Sequence, residues 1–185
     1  MHRLSTTTRS FMDTSLPALV PPVRRVAAAG GAAQVCTVTR DHLDTVIAAV
    51  EAARAKADDD VALNGPGGAS GSSLGAAVLA QEAATAAVDT MHSVRAFLQS
   101  NDLFEAPDGR VTNVSASFNI FGYAREAIVQ LHYARHWAAV SASQNQSQAN
   151  AASAVDCTER ISEALPLLEA LSADATRCYL QDVQP

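Results

Sequence analysis

Apolar residues recur at helical spacing along four stretches of the chain. In the first stretch they fall at i, i+3, i+4 and i+7, which places them on one side of a helix: Leu43, Val46, Ile47 and Val50. Thr39 is suited to cap the start of this helix, because its hydroxyl can accept a hydrogen bond from a backbone N–H of the first turn. We expect the helix to fade in the acidic run 58–60, since negative charge is unfavourable at a helix C-terminus.

The second predicted helix spans about residues 74–100 and combines a stripe of larger side chains with a flank of alanines. The stripe consists of Leu74, Val78, Thr85, Val88, Met91, Arg95 and Leu98. The flank consists of alanines 76, 77, 80, 83, 84, 86 and 87. Because alanine side chains are small, the flank allows another helix backbone to approach closely.

Two segments rich in turn-forming residues separate the first three helices. The sequence NGPGGASGSS at 64–73 is typical of a flexible linker, which we assign to residues 61–73. The segment 101–116 contains Pro-Asp-Gly at 107–109, a turn signal flanked by β-branched residues. We therefore expect a loop or a short β-hairpin between the second and third helices.

The third predicted helix, about residues 117–143, has apolar residues on two separate faces. At 100° per residue one cluster forms the core face: Ile120, Ala124, Ala127, Ile128, Leu131 and Ala138. A second cluster falls at i, i+4, i+8 and i+11: Val129, Tyr133, Trp137 and Val140. A surface helix of a monomeric bundle needs only one apolar face. Either the N-terminal arm and hairpin cover the second face, or it binds another protein, which tyrosine and tryptophan favour.

The fourth predicted helix spans about residues 148–182 and contains Pro166. Proline inside a helix removes one backbone hydrogen bond and clashes with the preceding turn, so we expect a kink or break near Leu165. The predicted core stripe of this helix consists of Ile161, Leu165, Leu168, Ala175 and Tyr179.

Three histidines are the candidates for metal or haem binding. His132 and His136 lie four residues apart on the third helix, a spacing that can supply two metal ligands, and His92 lies on the second helix. The zincin pattern requires Glu after the first histidine, where this chain has Tyr133. A di-iron bundle requires Glu-x-x-His pairs, which the sequence lacks. We therefore predict no metal and no other cofactor, and treat the histidines as polar residues at the edge of the helix.

Charge and cysteine content limit the classes of function. The formal net charge of −6 gives no support for nucleic-acid binding. No apolar run is long enough to cross a membrane.

The three cysteines, Cys36, Cys157 and Cys178, show no CxxC spacing. Cys157 and Cys178 fall about 30 Å apart on one predicted helix and cannot bridge each other. The odd count favours buried free thiols in a reducing compartment.

The N-terminal 35 residues are rich in Arg, Ser and Thr and contain a single acid, Asp13. This composition is typical of a mitochondrial transit peptide, with a plastid transit peptide or a basic arm of a cytoplasmic protein as alternatives. We therefore divide the chain into an N-terminal arm, 1–35, and a single helical domain, 36–185.

The sequence as a whole predicts an all-α fold: an antiparallel four-helix bundle with an extended N-terminal arm and an optional short hairpin. Only 17% of the residues are charged, which is low for a free helical protein. We expect a non-catalytic structural or accessory subunit of a larger, mitochondrial protein assembly that contacts other subunits. The alternative is a helical bundle that binds a small molecule, metal or haem through His92, His132 and His136.

Overall fold

The computed structural model describes residues 38–65, 71–101 and 114–183. These residues form four helices: α1 Arg40–Leu63, α2 Gly71–Ser100, α3 Val114–Gln144 and α4 Gln148–Val183. Each helix packs against two others, so that α1, α2, α3 and α4 follow one another around a common core. The described residues contain no β-strand, and the all-α prediction is confirmed for them.

The core is made of small and medium side chains, with alanine at many of the helix contacts. Its largest fully buried members include Leu43, Met91, Ile120, Leu131 and Leu168. The predicted stripe of α1 is buried throughout, and Thr39 caps α1 as expected, because its hydroxyl accepts a hydrogen bond from the His42 backbone N–H at 3.1 Å.

The end of α1 differs from the prediction. The helix does not fade in the acidic run 58–60 but continues to Leu63, where the backbone N–H of Asn64 donates to the Asp60 carbonyl at 3.0 Å. Asp58 accepts a hydrogen bond from Gln81 of α2 at 2.8 Å, so this acid has a partner on the neighbouring helix. These tertiary contacts outweigh the unfavourable interaction of the acids with the helix dipole.

In α2 the alanine flank enters the core more fully than the stripe of larger residues. Alanines 76, 77, 80, 84 and 87 are buried, whereas Leu74 and Val78 are only half-buried and Leu79 is 40% exposed. Small side chains permit close helix packing, and dispersion contacts then accumulate between the backbones. The predicted stripe enters the core only from Val88 onwards.

The two predicted inter-helix segments are shorter than expected where the structure describes them. Residues 61–63 belong to α1 and 71–73 to α2. Val114, which the hairpin prediction included, lies in α3. The rest of the predicted hairpin, 102–113, and the predicted N-terminal arm lie outside the described residues.

Pro166 does not interrupt α4, which is continuous from Gln148 to Val183. Pro166 itself is exposed, and Leu165 and Leu168 on either side of it are buried in the core. Burial on both sides of the proline stabilises the helix across the lost backbone hydrogen bond. The predicted stripe of α4 is buried except for Tyr179, which is half-buried.

None of the described helices combines the length and apolar composition that crossing a membrane requires.

Candidate functional site

The outward side of α3 carries the largest cluster of predicted site residues. The exposed residues between positions 118 and 136, apart from Gly122, lie along it, and we call them the α3 outer face: Phe118, Arg125, Glu126, Val129, His132, Tyr133 and His136. Val129 is 52% exposed, Tyr133 59% and Phe118 43%. Leu131, two residues from each of the first two, is fully buried. One helix therefore presents its core side to the bundle and apolar side chains to solvent.

The structure divides the four predicted partner-binding residues into two pairs. Val129 and Tyr133 are exposed, whereas Trp137 and Val140 are half-buried. Trp137 packs against the core, and its ring meets the His136 ring edge-on with centroids 5.2 Å apart. Part of the tryptophan surface is thus already used within the bundle. Tyr133 is the aromatic residue on this face most available to a partner.

Charged and polar side chains of both signs surround the apolar part of the α3 outer face. Arg125, His132 and His136 belong to the face itself, and the Arg135 guanidinium donates a hydrogen bond to Nδ1 of His132 at 3.2 Å. Glu126 is the single acid of α3.

Among the four helices, α3 alone has more basic than acidic residues. It contains two arginines and one glutamate, whereas α1 has three basic and six acidic residues, α2 one and two, and α4 two and six. The formal charge of α3 is therefore positive, whereas on its outer face Arg125 and Glu126 lie next to each other with opposite charges.

The three candidate metal-binding histidines all lie on the outside of the bundle. Nε2 of His92 lies 2.7 Å from Oε1 of Glu51 on α1, so its nearest polar partner is a carboxylate and not a second histidine. His132 and His136 are exposed on α3. In the part of the chain that the structure describes, no three His, Cys, Asp or Glu side chains are grouped as a metal site. The geometry therefore adds nothing in favour of the metal- or haem-binding alternative.

A second unusual region lies inside the bundle, where the ends of α1 and α3 meet the start of α4. Asp60, Asn64 and Ser141 are at most 1% exposed, and we call them the buried polar cluster. The Asn64 amide donates to the Asp60 carbonyl at 2.8 Å and to the Asp60 carboxylate at 2.9 Å. The amide of Asn150, which is also buried, donates to the Leu63 carbonyl at 3.2 Å and links α4 to α1.

Burial raises the pKa of Asp60, because the low-dielectric interior disfavours the charged carboxylate. Hydrogen bonds from Ser141 and Asn64 oppose this rise in pKa but do not cancel it. Two oxygens of the cluster, Oδ2 of Asp60 and Oδ1 of Asn64, have no hydrogen-bond partner among the residues that the structure describes. Each such oxygen costs free energy in the folded state.

The cysteines differ from one another. Cys157 is buried and free, and burial raises the pKa of its thiol to about 12, with a smaller contribution from nearby Asp60. Cys178 is disulfide-bonded. The expectation of free thiols is therefore correct for Cys157 and wrong for Cys178, because cysteine spacing along a chain does not determine which sulfurs the fold brings together.

An open groove of about 570 Å³ lies between α1 and α4. Its walls include Leu63, which is 50% exposed, and the ion pair between Lys56 and Asp156, whose N and O atoms are 2.8 Å apart. The groove is shallow and carries no grouping of catalytic residues.

The buried polar cluster is the feature that the sequence analysis missed. The apolar stripe of α1 continues at helical spacing through Ala53 and Ala57 to Asp60 and Asn64. If the same spacing is continued into the acidic run 58–60, it predicts that Asp60, one of the three aspartates of this run, lies in the core.

A comparison of the chain with known protein families, curated proteins and solved structures finds no match.

Proposed function

We propose that this chain is a non-catalytic structural or accessory subunit of a larger protein assembly, and that the α3 outer face is the surface through which it binds other subunits. The observation that carries the proposal is the exposure of Val129 and Tyr133, at 52% and 59%, on a helix whose opposite side already supplies the core. Aromatic residues exposed beside apolar ones are typical of protein interfaces.

The low charge of the chain supports the same proposal. Only 17% of the residues are charged, and Phe118, whose ring lies 5.5 Å from that of Tyr179, is a further exposed apolar side chain near the start of α3. Exposed apolar side chains contribute to stability only when another surface covers them.

In this proposal the bundle is an antiparallel scaffold that holds α3 rigid. Contacts between α1 and α2 support the arrangement, because Asp44 near the start of α1 lies 3.3 Å from Arg95 near the end of α2. Lys56 near the end of α1 pairs with Asp156 near the start of α4. A rigid helix loses little conformational entropy when it binds a partner.

The proposed location is mitochondrial, on the transit-like composition of residues 1–35. The disulfide at Cys178 favours an oxidising compartment, since disulfides persist in such compartments. We therefore propose an organellar space that permits disulfide formation.

The native mass of the tagged chain, extracted gently from its own cells, tests the proposal. We expect a defined particle much larger than the 19.3 kDa of the chain, with other proteins in fixed ratio. Tyr133→Glu should release the chain as a folded small species, because a buried unpaired carboxylate is unfavourable at an interface. A wild-type chain that migrates alone would contradict the proposal.

Leu79→Glu is the matched control for this experiment. Leu79 is 40% exposed on α2, so the substitution also removes an exposed apolar side chain and adds one negative charge. The control variant should remain in the particle. Circular dichroism of both variants should show unchanged helix content, which separates loss of assembly from loss of folding.

A further inference from the structure

We propose that Cys178 forms its disulfide with Cys36 of the same chain, and that this bond is a redox-dependent link between the start of α1 and the end of α4. The inference concerns the chain alone, so it holds or fails independently of the proposed function.

The cysteine content of the chain leaves one internal partner for Cys178. The sequence contains three cysteines, of which Cys178 is disulfide-bonded and Cys157 is free. Cys157 also lies about 30 Å from Cys178 along α4, at about 1.5 Å per residue. A disulfide within the chain therefore joins Cys178 to Cys36, which lies outside the described residues.

The described residues bring the start of α1 close to the end of α4. Nδ1 of His42, in the first turn of α1, lies 3.8 Å from Oδ2 of Asp174 on α4. Cys178 lies one helical turn beyond Asp174, and Val38 lies just before α1. Both belong to the same core, where Val38 is fully buried and Cys178 is 4% exposed. The chain therefore enters the bundle at the end of α4 that carries Cys178.

Cys36 is within reach of Cys178 from this position. It precedes the buried Val38 by two residues, and two residues span at most about 7 Å of extended chain. A disulfide requires the two Cα atoms to lie about 4.4–6.8 Å apart. The chain length between Val38 and Cys36 therefore allows the bridge without displacement of α1.

The burial of Cys178 disfavours a bridge to another molecule. A cysteine of a second protein would have to enter the core to place its sulfur about 2 Å from that of Cys178. A bridge to Cys36 needs no such entry, because Val38 already leads this chain into the core.

Formation of the bond requires a disulfide donor, which in this proposal is a thiol–disulfide oxidoreductase of the compartment. The Cys36 thiolate attacks the donor disulfide, forms a mixed disulfide and releases one donor thiolate. The Cys178 thiolate then attacks the Cys36 sulfur and releases the second donor thiolate. The chain loses two electrons and two protons, and the donor gains them as a dithiol.

The bond makes the stability of the bundle depend on the redox state of its surroundings. It closes a loop that contains α1, α2, α3 and most of α4. A crosslink across such a long loop stabilises the folded state, chiefly by restricting the unfolded chain. In a reducing space both thiols stay free, and the segment that leads into α1 is held by packing alone.

Peptide mapping of the full chain, taken from its own cells with thiols blocked at lysis, tests the pairing. Trypsin places the three cysteines on separate peptides: 26–40, 136–160 and 178–185. We expect peptides 26–40 and 178–185 to be joined until a reductant is added, and Cys157 to carry the blocking reagent after denaturation. Peptide 178–185 joined to another protein, to a second copy of itself or to 136–160, or carrying the reagent, would overturn the pairing.

Thermal unfolding with and without a reductant tests the effect on stability. The midpoint of wild type should fall by about 5 °C or more on reduction. Cys36→Ser should not respond to the reductant. Cys157→Ala is the matched control, and its midpoint should fall on reduction as that of wild type does. A response that survives in Cys36→Ser, or is lost in Cys157→Ala, would contradict the inference.

Hydrogen exchange of α1 tests whether the bond acts locally at the start of this helix. In Cys36→Ser, backbone amides near Leu43 should exchange about tenfold faster than in the oxidised wild type, because the start of α1 opens more readily. Amides near Ala57, at the other end of α1, are the internal reference and should change less. Equal acceleration at both ends, or none near Leu43, would overturn the role as a link between the two helix ends.

Discussion

The α3 outer face and the buried polar cluster reverse the usual distribution of side chains in opposite ways. On the outer face, Val129 and Tyr133 expose apolar surface to water, although a core lies on the other side of the same helix. In the cluster, Asp60 and Asn64 place a carboxylate and an amide inside the bundle, where solvent cannot reach them.

The difference shows what each region can contribute. An exposed apolar side chain adds little to the stability of the isolated chain, so its benefit appears only when a second surface covers it. A buried polar group acts within the chain, because its hydrogen bonds join specific helix ends and its removal leaves a partner unsatisfied. Substitutions in the face should therefore alter binding, and substitutions in the cluster should alter stability.

The largest expected effect compares the two sides of α3. Leu131→Ala should lower the free energy of unfolding by about 2–5 kcal/mol, because it removes a fully buried side chain and leaves a cavity. Val129→Ala, two residues away, should change it by less than about 0.5 kcal/mol. Urea denaturation of both variants measures the difference. Equal losses would mean that α3 has no free outer side.

The next effect concerns binding. Tyr133→Ala should weaken association with the assembly by about 2 kcal/mol, or roughly 30-fold, because a central aromatic residue contributes a large share of an interface. The free energy of unfolding should not change, since Tyr133 is 59% exposed. Affinity capture from cells and urea denaturation check the two halves. A destabilised but fully bound variant would reverse the roles of the two regions.

A smaller effect is expected in the buried polar cluster. Asn64→Ala should lower the free energy of unfolding by about 1–3 kcal/mol, since it removes one of the two donors, Asn64 and Ser141, that bond the buried Asp60 carboxylate. Asn101 is the matched control, because its amide donates to the carbonyl four residues earlier at 2.8 Å, as Asn64 does, but it is exposed. Asn101→Ala should cost clearly less in the same denaturation experiment. Similar losses for both variants would show that burial adds nothing to the Asn64 contact.

The pH dependence of stability isolates Asp60. Its pKa in the folded state is raised above the ordinary value of 3.8, so the folded state binds the proton more tightly than the unfolded state does. The contribution of this group to stability is therefore greatest below pH 3.8 and is lost as the pH rises through the raised pKa. Asp60→Asn keeps an acceptor for Asn64 and removes this titration.

Thermal or urea denaturation across the acidic range, with wild type and Asp60→Asn in parallel, measures the Asp60 contribution as a difference. The stability of wild type relative to the variant should fall as the pH rises. A constant difference would contradict the raised pKa.

The smallest expected effect concerns Cys157, whose thiol should not react with an alkylating reagent in the folded chain. Because the pKa of the Cys157 thiol is raised to about 12, the residue carries almost no thiolate near neutral pH and is also buried. Iodoacetamide should label Cys157 only after unfolding, and Cys178 only after reduction of its disulfide. Rapid labelling of Cys157 in the folded chain would show that this end of the bundle opens readily.

Periodicity predicted the helices well because each helix has one side that must be buried. The core faces of α1, α3 and α4 follow from their apolar spacing, and of the predicted core residues of α3 only Ile128 is half-buried instead of buried. The second apolar cluster of α3 was visible for the same reason. Its division into exposed Tyr133 and half-buried Trp137 was not, because that depends on where the neighbouring helices lie.

The features that the sequence did not predict depend on tertiary contacts. In α2 the apolar pattern did not predict that alanines would be buried while Leu79 is exposed. This arrangement is stable because close packing of the helix backbones compensates for the small side chains. The burial of Asp60 depends on donors from Asn64 and from Ser141, which is about eighty residues away in the chain. A local pattern contains no information about such donors.

Oxidative footprinting of Tyr133 measures whether a partner covers the α3 outer face. The isolated chain and the particle extracted from cells are exposed to hydroxyl radicals under the same conditions, and modification of Tyr133 is compared with that of Leu79 as an internal reference. We predict that Tyr133 is modified readily in the isolated chain and is strongly protected in the particle, while Leu79 reacts equally in both. Equal modification of Tyr133 in the two samples would mean that no partner covers the α3 outer face.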